Sequence, residues 1–242
     1  MSENPVGDAI RVEGLEKSFG DWPVLWDLDL TLGWGQFLVL FGANGVGKST
    51  LLRILSTQAK ADAGKALIAG HDLRRNPQGV RSRVGVVAHQ TFLYDDLTAL
   101  ENLIYYGRLF GLKDPEKRAD EALSRLGMVR RSGQRLRSLS HGMQKRVAIA
   151  RAIMHQPPIL LLDEPESGLD RGSVEVLKEL LQEWAASGRA VVMTTHDTEL
   201  GFSWTGQVGL LADGKLHLCG SKGTGDAAEF RRLVTVSLGD NR

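Results

Sequence analysis

The stretch Gly42-Ala43-Asn44-Gly45-Val46-Gly47-Lys48-Ser49-Thr50 fits the spacing G-x-x-x-x-G-K-[ST] and constrains this chain more than any other segment. It follows the apolar run Phe37-Leu38-Val39-Leu40-Phe41, which reads as a buried parallel strand, and it precedes a helical pattern from Thr50 to Thr57. A strand, a glycine turn and a helix are the context in which such a loop binds phosphate. The glycines let successive backbone N–H groups point at one anion, and the positive end of the helix dipole favours it. Lys48 is placed to reach the outer phosphates and the Ser49 hydroxyl to take a position on Mg²⁺. The reading is a nucleoside triphosphate site.

Composition narrows the remaining classes. A formal net charge of +1 in 242 residues carries no footprint of nucleic-acid binding or of a polybasic membrane anchor. The basic cluster Arg130-Arg131, Arg135 and Arg137 reads as a solvated face. The single Cys219 excludes an internal disulfide, fits a reducing compartment and is expected to be a small buried residue; with His217 it supplies too few ligands for a metal site. No segment has the eighteen or so consecutive apolar residues that span a bilayer, and the start Met1-Ser2-Glu3-Asn4-Pro5 does not read as a signal peptide. The expectation is a soluble protein that acts at a membrane only through a partner.

Along the chain, Ile10–Glu16 and Val24–Leu32 alternate apolar and polar residues on either side of Gly20-Asp21, which predicts an antiparallel strand layer. Ala66–Gly70 and Val84–Val87 read as short strands. From Leu100 to Leu139 the period becomes helical, interrupted at Gly111–Pro115, with Asp114 as a cap. Ile159–Asp163 and Ala190–Thr195 read as two more buried strands, with a helix from about Gly172 to Ser187 between them. Gln207–Cys219 reads as a hairpin turning at Ala212-Asp213-Gly214. The fold class is α/β, a phosphate-loop core of mixed sheet with an antiparallel β layer and an inserted helical subdomain. We read residues 1–242 as one domain, with the core and β layer over 1–89 and 152–242 and the helical insertion over 90–151.

Two carboxylates end the second buried strand. Asp163 is placed to hold Mg²⁺ through its water shell, opposite Ser49, and Glu164 to orient or deprotonate the water that attacks the terminal phosphate. Paired acids after a strand can also simply cap a helix. His196, at the end of the next strand, is placed to donate to the same phosphate.

With these motifs in order, nearly the whole chain resembles the nucleotide-binding subunit of an ATP-binding cassette (ABC) transporter. The resemblance implies that Phe19 stacks on adenine and that Gln90 touches Mg²⁺ and senses the transmembrane partner. It places Leu139-Ser140-His141-Gly142-Met143-Gln144 at the family's signature, Ser167-Gly168-Leu169-Asp170 at the loop crossing the dimer interface, and His196 at the switch histidine. His141 and Met143 depart from the usual Leu-Ser-Gly-Gly-Gln, whereas Ser140 and Gly142 keep a hydroxyl and an N–H at a helix N-terminus. Ser140 also reads as an N-cap, and the two roles are compatible. The resemblance implies a head-to-tail homodimer or heterodimer with two sandwiched ATP molecules, membrane permease partners, and a place on the cytoplasmic face of the membrane.

Within the family, Ala88–Leu103 and Tyr105–Gly111 are similar to the ATP-binding subunit of the cytochrome c maturation (haem exporter) system. This implies an energy-coupling ATPase with no direct haem contact. The same signature form is shared with exporters of drugs, lipids or polysaccharides, which is the alternative. A soluble cassette without a membrane partner, and a non-hydrolysing scaffold, are further readings; the pair Asp163 and Glu164 argues against the last. Phe92, Leu93, Tyr94, Leu103, Tyr105 and Tyr106 suggest a groove for a partner's short helix, with about half of them expected to fill the insertion's own core.

Overall fold

A computed structural model describes residues 7–205, 207–219 and 227–239. The strands are β1 (Ile10–Phe19), β2 (Trp22–Leu32), β3 (Phe37–Phe41), β4 (Ala63–Ile68), β5 (His71–Asp72), β6 (Val84–Val87), β7 (Ile159–Asp163), β8 (Ala190–Thr194), β9 (Gln207–Ala212) and β10 (Lys215–Cys219). The α-helices are α1 (Lys48–Leu55), α2 (Pro77–Arg81), α3 (Ala99–Leu109), α4 (Pro115–Arg125), α5 (His141–Ile153), α6 (Arg171–Ala186), α7 (Thr198–Trp204) and α8 (Ala227–Gly239). Two 3₁₀ turns, Val129–Arg131 and Leu136–Ser138, lead into α5.

The strands form two sheets, ordered β2-β1-β4-β5 and β10-β9-β3-β8-β7-β6. The first is antiparallel. In the second, β9, β3, β8, β7 and β6 run parallel, and β10 pairs antiparallel at the edge. The β9–β10 hairpin turns at Asp213 and Gly214, with φ of 49° and 73°, as a two-residue turn with both centres left-handed requires.

Alternation along the buried strands sends side chains to two separate cores. Leu38 and Leu40, Ile159 and Leu161, and Ala190 and Val192 join Leu51, Leu52, Ile54 and Leu55 of α1 and the apolar faces of β1, β2 and β4. Phe37, Val39 and Phe41, Leu160 and Leu162, and Val191 and Met193 face the other way, onto α3 to α8. The parallel strands are apolar on both sides because both sides are covered.

The helical region starts with a complete capping box. The Thr98 side chain accepts from the Glu101 N–H, and the Glu101 carboxylate accepts from the Thr98 N–H. Asp114 occupies the N-cap position of α4 but makes no side-chain cap bond, since Pro115 already presets the first turn. Residue 151, where the sequence reading ends the insertion, lies inside α5, which runs on to Ile153 and packs against β6. The His217 side chain is exposed, and the Cys219 side chain lies outside the described residues, as do Met1–Pro5.

One buried amide anchors the loop between β6 and α3. Asn102, fully buried, accepts from the Tyr94 N–H (2.7 Å) and donates to the carbonyls of Tyr94 (3.0 Å) and Thr98 (3.0 Å). Replacing Asn102 by Ala takes the partner from the Tyr94 N–H and leaves the Tyr94 and Thr98 carbonyls only the Leu97 and Asn102 N–H groups, so Asn102→Ala is expected to cost about 1–3 kcal/mol. Urea denaturation will show this as a lowered midpoint at unchanged slope.

Candidate functional site

The parallel order β3-β8-β7 brings three strand ends side by side, at the edge where ligands of open α/β sheets bind. The phosphate-type loop leaves β3, Asp163 and Glu164 end β7, and His196 follows β8. Thr194, fully buried at the end of β8, ties this row together. It pairs in register with Leu40 on one side and Asp163 on the other. Its hydroxyl donates to Asp163 Oδ1 (2.7 Å) and accepts from the Glu164 N–H (3.1 Å). Glu164 itself has φ of 45°, a left-handed turn that takes the chain abruptly out of the sheet. His196 Nδ1 lies 3.6 Å from Glu164 Oε1.

The loop from Gly42 to Gly47 is shaped by close approach. Gly47 precedes α1 with φ of 114°, and a Cβ there would lie 2.8 Å from Val24 Cγ1 of β2. Only glycine satisfies both conditions. Lys48, 6% exposed, folds back so that Nζ donates to the carbonyls of Gly42 (2.6 Å) and Ala43 (3.0 Å). Burial pulls its pKa below the usual lysine value, and the charges of Glu164 and then Asp163 pull it back. Those carboxylates therefore face the same space as the lysine. Asn44, Gly45 and Ser49 are exposed, and Ala43, Val46 and Thr50 are half-buried.

This donor set fits a polyphosphate. A cation already held among loop carbonyls stands at the start of a helix whose first turn carries no acidic residue to compete for it. For a divalent ion the protein offers oxygen ligands, the Ser49 hydroxyl and the Asp163 carboxylate. Among the described residues no cluster of three metal-ligating side chains exists. That pattern suits Mg²⁺, which takes one or two protein oxygens and completes its shell with phosphates and water.

The other anticipated residues lie apart from this row. Phe19 is exposed at the end of β1, with Lys17 Nζ 5.2 Å from its ring centre. Ser140 caps α5, accepting from the Met143 N–H at 3.4 Å. A Cβ on Gly142 would lie 2.5 Å from the Gly168 carbonyl, and one on Gly168 would lie 2.8 Å from His141 Nδ1. The bulk of His141 is thus received by a glycine of the Ser167–Asp170 loop. Asp170 caps α6 through Ser173 (2.9 Å) and lies 3.6 Å from Arg146, and the Ser173 N–H bond holds its carboxyl below the usual range. Among the described residues no hydrogen bond joins Ser140, Gly142 or Asp170 to the phosphate-type loop.

Gln90 is exposed and lines a groove of about 730 Å³ with Arg53, Phe92, Tyr106, Phe110 and Arg151. Arg151, nearly buried, donates to the Val86 carbonyl (2.9 Å) and lies under the rings of Tyr106 (5.0 Å) and Phe92 (5.9 Å). Phe92, Tyr94 and Tyr105 are exposed, Leu103 is buried, and Leu93 and Tyr106 pack on the core at its margin. His155 stacks on Phe110 at 4.0 Å.

The sequence reading did not single out Thr194, Thr195, Glu166, Lys145 or Arg151. The signal for Lys145 was its helical phase, which it shares with the buried Ala148, Ile149 and Ala152.

The ABC transporter family profile matches residues 25–167. The chain belongs to the ABC transporter family. It is a cassette ATPase, of the kind that binds ATP and couples its hydrolysis to transport. The cassette is 30% identical to the linearmycin resistance ATP-binding protein LnrL of Bacillus subtilis, covering 88% of this chain and 69% of that protein. It is 38% identical to the daunorubicin resistance ATP-binding protein DrrA3 of Streptomyces coeruleorubidus, covering 79% and 61%. It is 35% identical to the Nod factor export ATP-binding protein I of Cupriavidus pinatubonensis, covering 78% and 59%, so the chain spans under two thirds of the length of these last two. Among solved structures, the ATP-binding cassette MJ0796, in a dimeric post-hydrolysis state bound to ADP and Pi, aligns with a TM-score of 0.79 at 29% identity, over 89% of this chain and 100% of that one.

Two outcomes are expected. Lys48→Ala should weaken ATP binding at least about a hundred-fold by calorimetry, since a buried charge-assisted contact to phosphate is lost. The second concerns pH. Burial, reinforced by the Arg151 charge, pushes the His155 imidazole down to about 4, against the pull of the Val84 carbonyl. An unfolded histidine titrates near 6.5, so the unfolded chain takes up the proton first. The neutral His155 therefore contributes stability that is complete above pH 6.5 and lost as pH falls toward 4, on the order of 3 kcal/mol. Urea midpoints at pH 7 and pH 4.5 should converge in His155→Phe relative to the parent.

Proposed function

We propose that this chain is the ATP-hydrolysing, energy-coupling subunit of a membrane exporter whose cargo is a drug, lipid or polysaccharide. The observation that favours this cargo class is the naming of its relatives for linearmycin and daunorubicin resistance and for Nod factor export. The haem-linked reading rests on the likeness of residues 88–111 alone, and none of those three names refers to haem. It stands second.

In the working site, the phosphates are held by the Gly42–Thr50 loop and Lys48, and the adenine is stacked on Phe19. Ser49, Asp163 and Gln90 would hold Mg²⁺, which when bound would neutralise charge on the phosphate oxygens. Glu164 orients the attacking water and takes its proton. His196, 3.6 Å from Glu164, donates to the terminal phosphate, so the pair brackets the reacting centre. Ser140 and Gly142 reach the nucleotide of a second cassette across a head-to-tail dimer, with Asp170 in the loop at that interface. A dimer is supported by the dimeric state of MJ0796.

Among the described residues no helix is long and apolar enough to cross a membrane. We assign the partner's seat to the groove beside Gln90. Exposed Phe92 and Phe110 offer apolar contact there, exposed Tyr94 and Tyr105 pack beside it on Tyr106, and Arg53 and Arg81 offer positive charge. On this reading the subunit works at the cytoplasmic face of the membrane.

Three results are expected. Glu164→Gln with Mg-ATP should elute as a dimer in size-exclusion chromatography, with turnover lowered at least about a hundred-fold. A tagged chain purified from detergent-solubilised membranes should carry polytopic membrane proteins with it; cytochrome c assembly factors in the same fraction would move the haem-linked reading to first place, and soluble proteins alone would overturn the exporter reading. Phe110→Glu should release those membrane proteins while leaving ATP affinity within about twofold.

A further inference from the structure

Behind the strand ends lies a buried polar chain that the hydrolytic assignment does not use. Glu166 follows β7 by three residues. Its Oε1 accepts from the Thr195 hydroxyl, and its Oε2 is buried without a protein partner. Thr195 is fully buried, and its hydroxyl oxygen also accepts from the Asp197 N–H (3.0 Å). A hydroxyl has one proton, and here it goes to Glu166, so the direction of every bond is fixed. Asp197 in turn caps α7, accepting from the Leu200 N–H at 2.9 Å.

Between these two anchored residues stands His196, its side chain 61% exposed and reaching toward Glu164. An exposed imidazole has no packing of its own to hold it. Its position is inherited from the backbone on either side.

We propose that Glu166 is a positioning residue for hydrolysis: through Thr195 it fixes the backbone that aims His196 at the reacting centre. The inference rests on the reading of Glu164 and His196 as the hydrolytic pair. It supplies a hydrogen-bonded link from the segment after β7 to the backbone that carries the histidine, running from Glu166 through Thr195 to the Asp197 N–H.

The test is steady-state ATPase kinetics of the full chain with Mg-ATP, together with binding of a fluorescent ATP analogue. Glu166→Ala and Thr195→Val should each lower kcat about ten-fold or more, with KM and analogue affinity within about twofold. The double variant should be no slower than either single one, because both break the same chain. Glu166→Gln, which keeps an acceptor for the Thr195 hydroxyl, should retain most of the turnover. Should Glu166→Ala fold poorly, the near-isosteric Thr195→Val carries the test, and hydrogen exchange at the Asp197 amide should speed up in it. Full kcat in folded Thr195→Val or Glu166→Ala, alongside loss of turnover in Glu164→Gln and His196→Ala, would overturn the inference and spare the site assignment. Turnover surviving in Glu164→Gln and His196→Ala would overturn the site assignment and the inference with it.

Discussion

The pairing of β8 between β3 and β7 is the constraint on which the rest depends. Placing one strand between the loop strand and the acid strand sets Lys48 across from Asp163 and Glu164, with Thr194 filling the gap. Its hydroxyl satisfies a carboxylate and a backbone N–H that would otherwise be buried without partners. The rows of Leu, Val and Ile on both faces of these strands hold the register, since a slip by one residue would exchange the two cores.

Much of this arrangement was legible in the sequence because it is local. The glycine loop, the apolar runs and the acids at the end of β7 each announce themselves within a few residues. The Asp213-Gly214 turn is likewise written in its own two residues. Ser140 divides in the same way: its cap role is read from spacing and is present in the structure, while the reach across a dimer proposed for it depends on a second chain.

What the sequence hid is what only tertiary contact decides. Lys145 and Glu166 look like surface charges in a linear reading, yet both turn inward: Lys145 lies on the buried face of α5, and Glu166 accepts from the Thr195 hydroxyl. Helix α7 is short and carries Gly201, a poor helix former. Glycine is there because a Cβ would lie 2.5 Å from the Phe41 ring, a reason invisible from the helix itself. The boundary placed at residue 151 fell inside α5 because one continuous helix serves both the insertion and the sheet.

The fold-back of Lys48 onto the carbonyls of Gly42 and Ala43 has a kinetic and entropic side. A free lysine side chain loses about 2 kcal/mol of rotamer entropy when it is fixed. Here that loss has already occurred on folding, and an arriving anion meets a cation whose conformation is set. Association then exchanges hydrogen-bond partners instead of ordering a chain, and the two carbonyls stand ready to take the lysine back when the anion leaves. The loop is in this sense its own placeholder, and loading and unloading leave the lysine's freedom nearly constant.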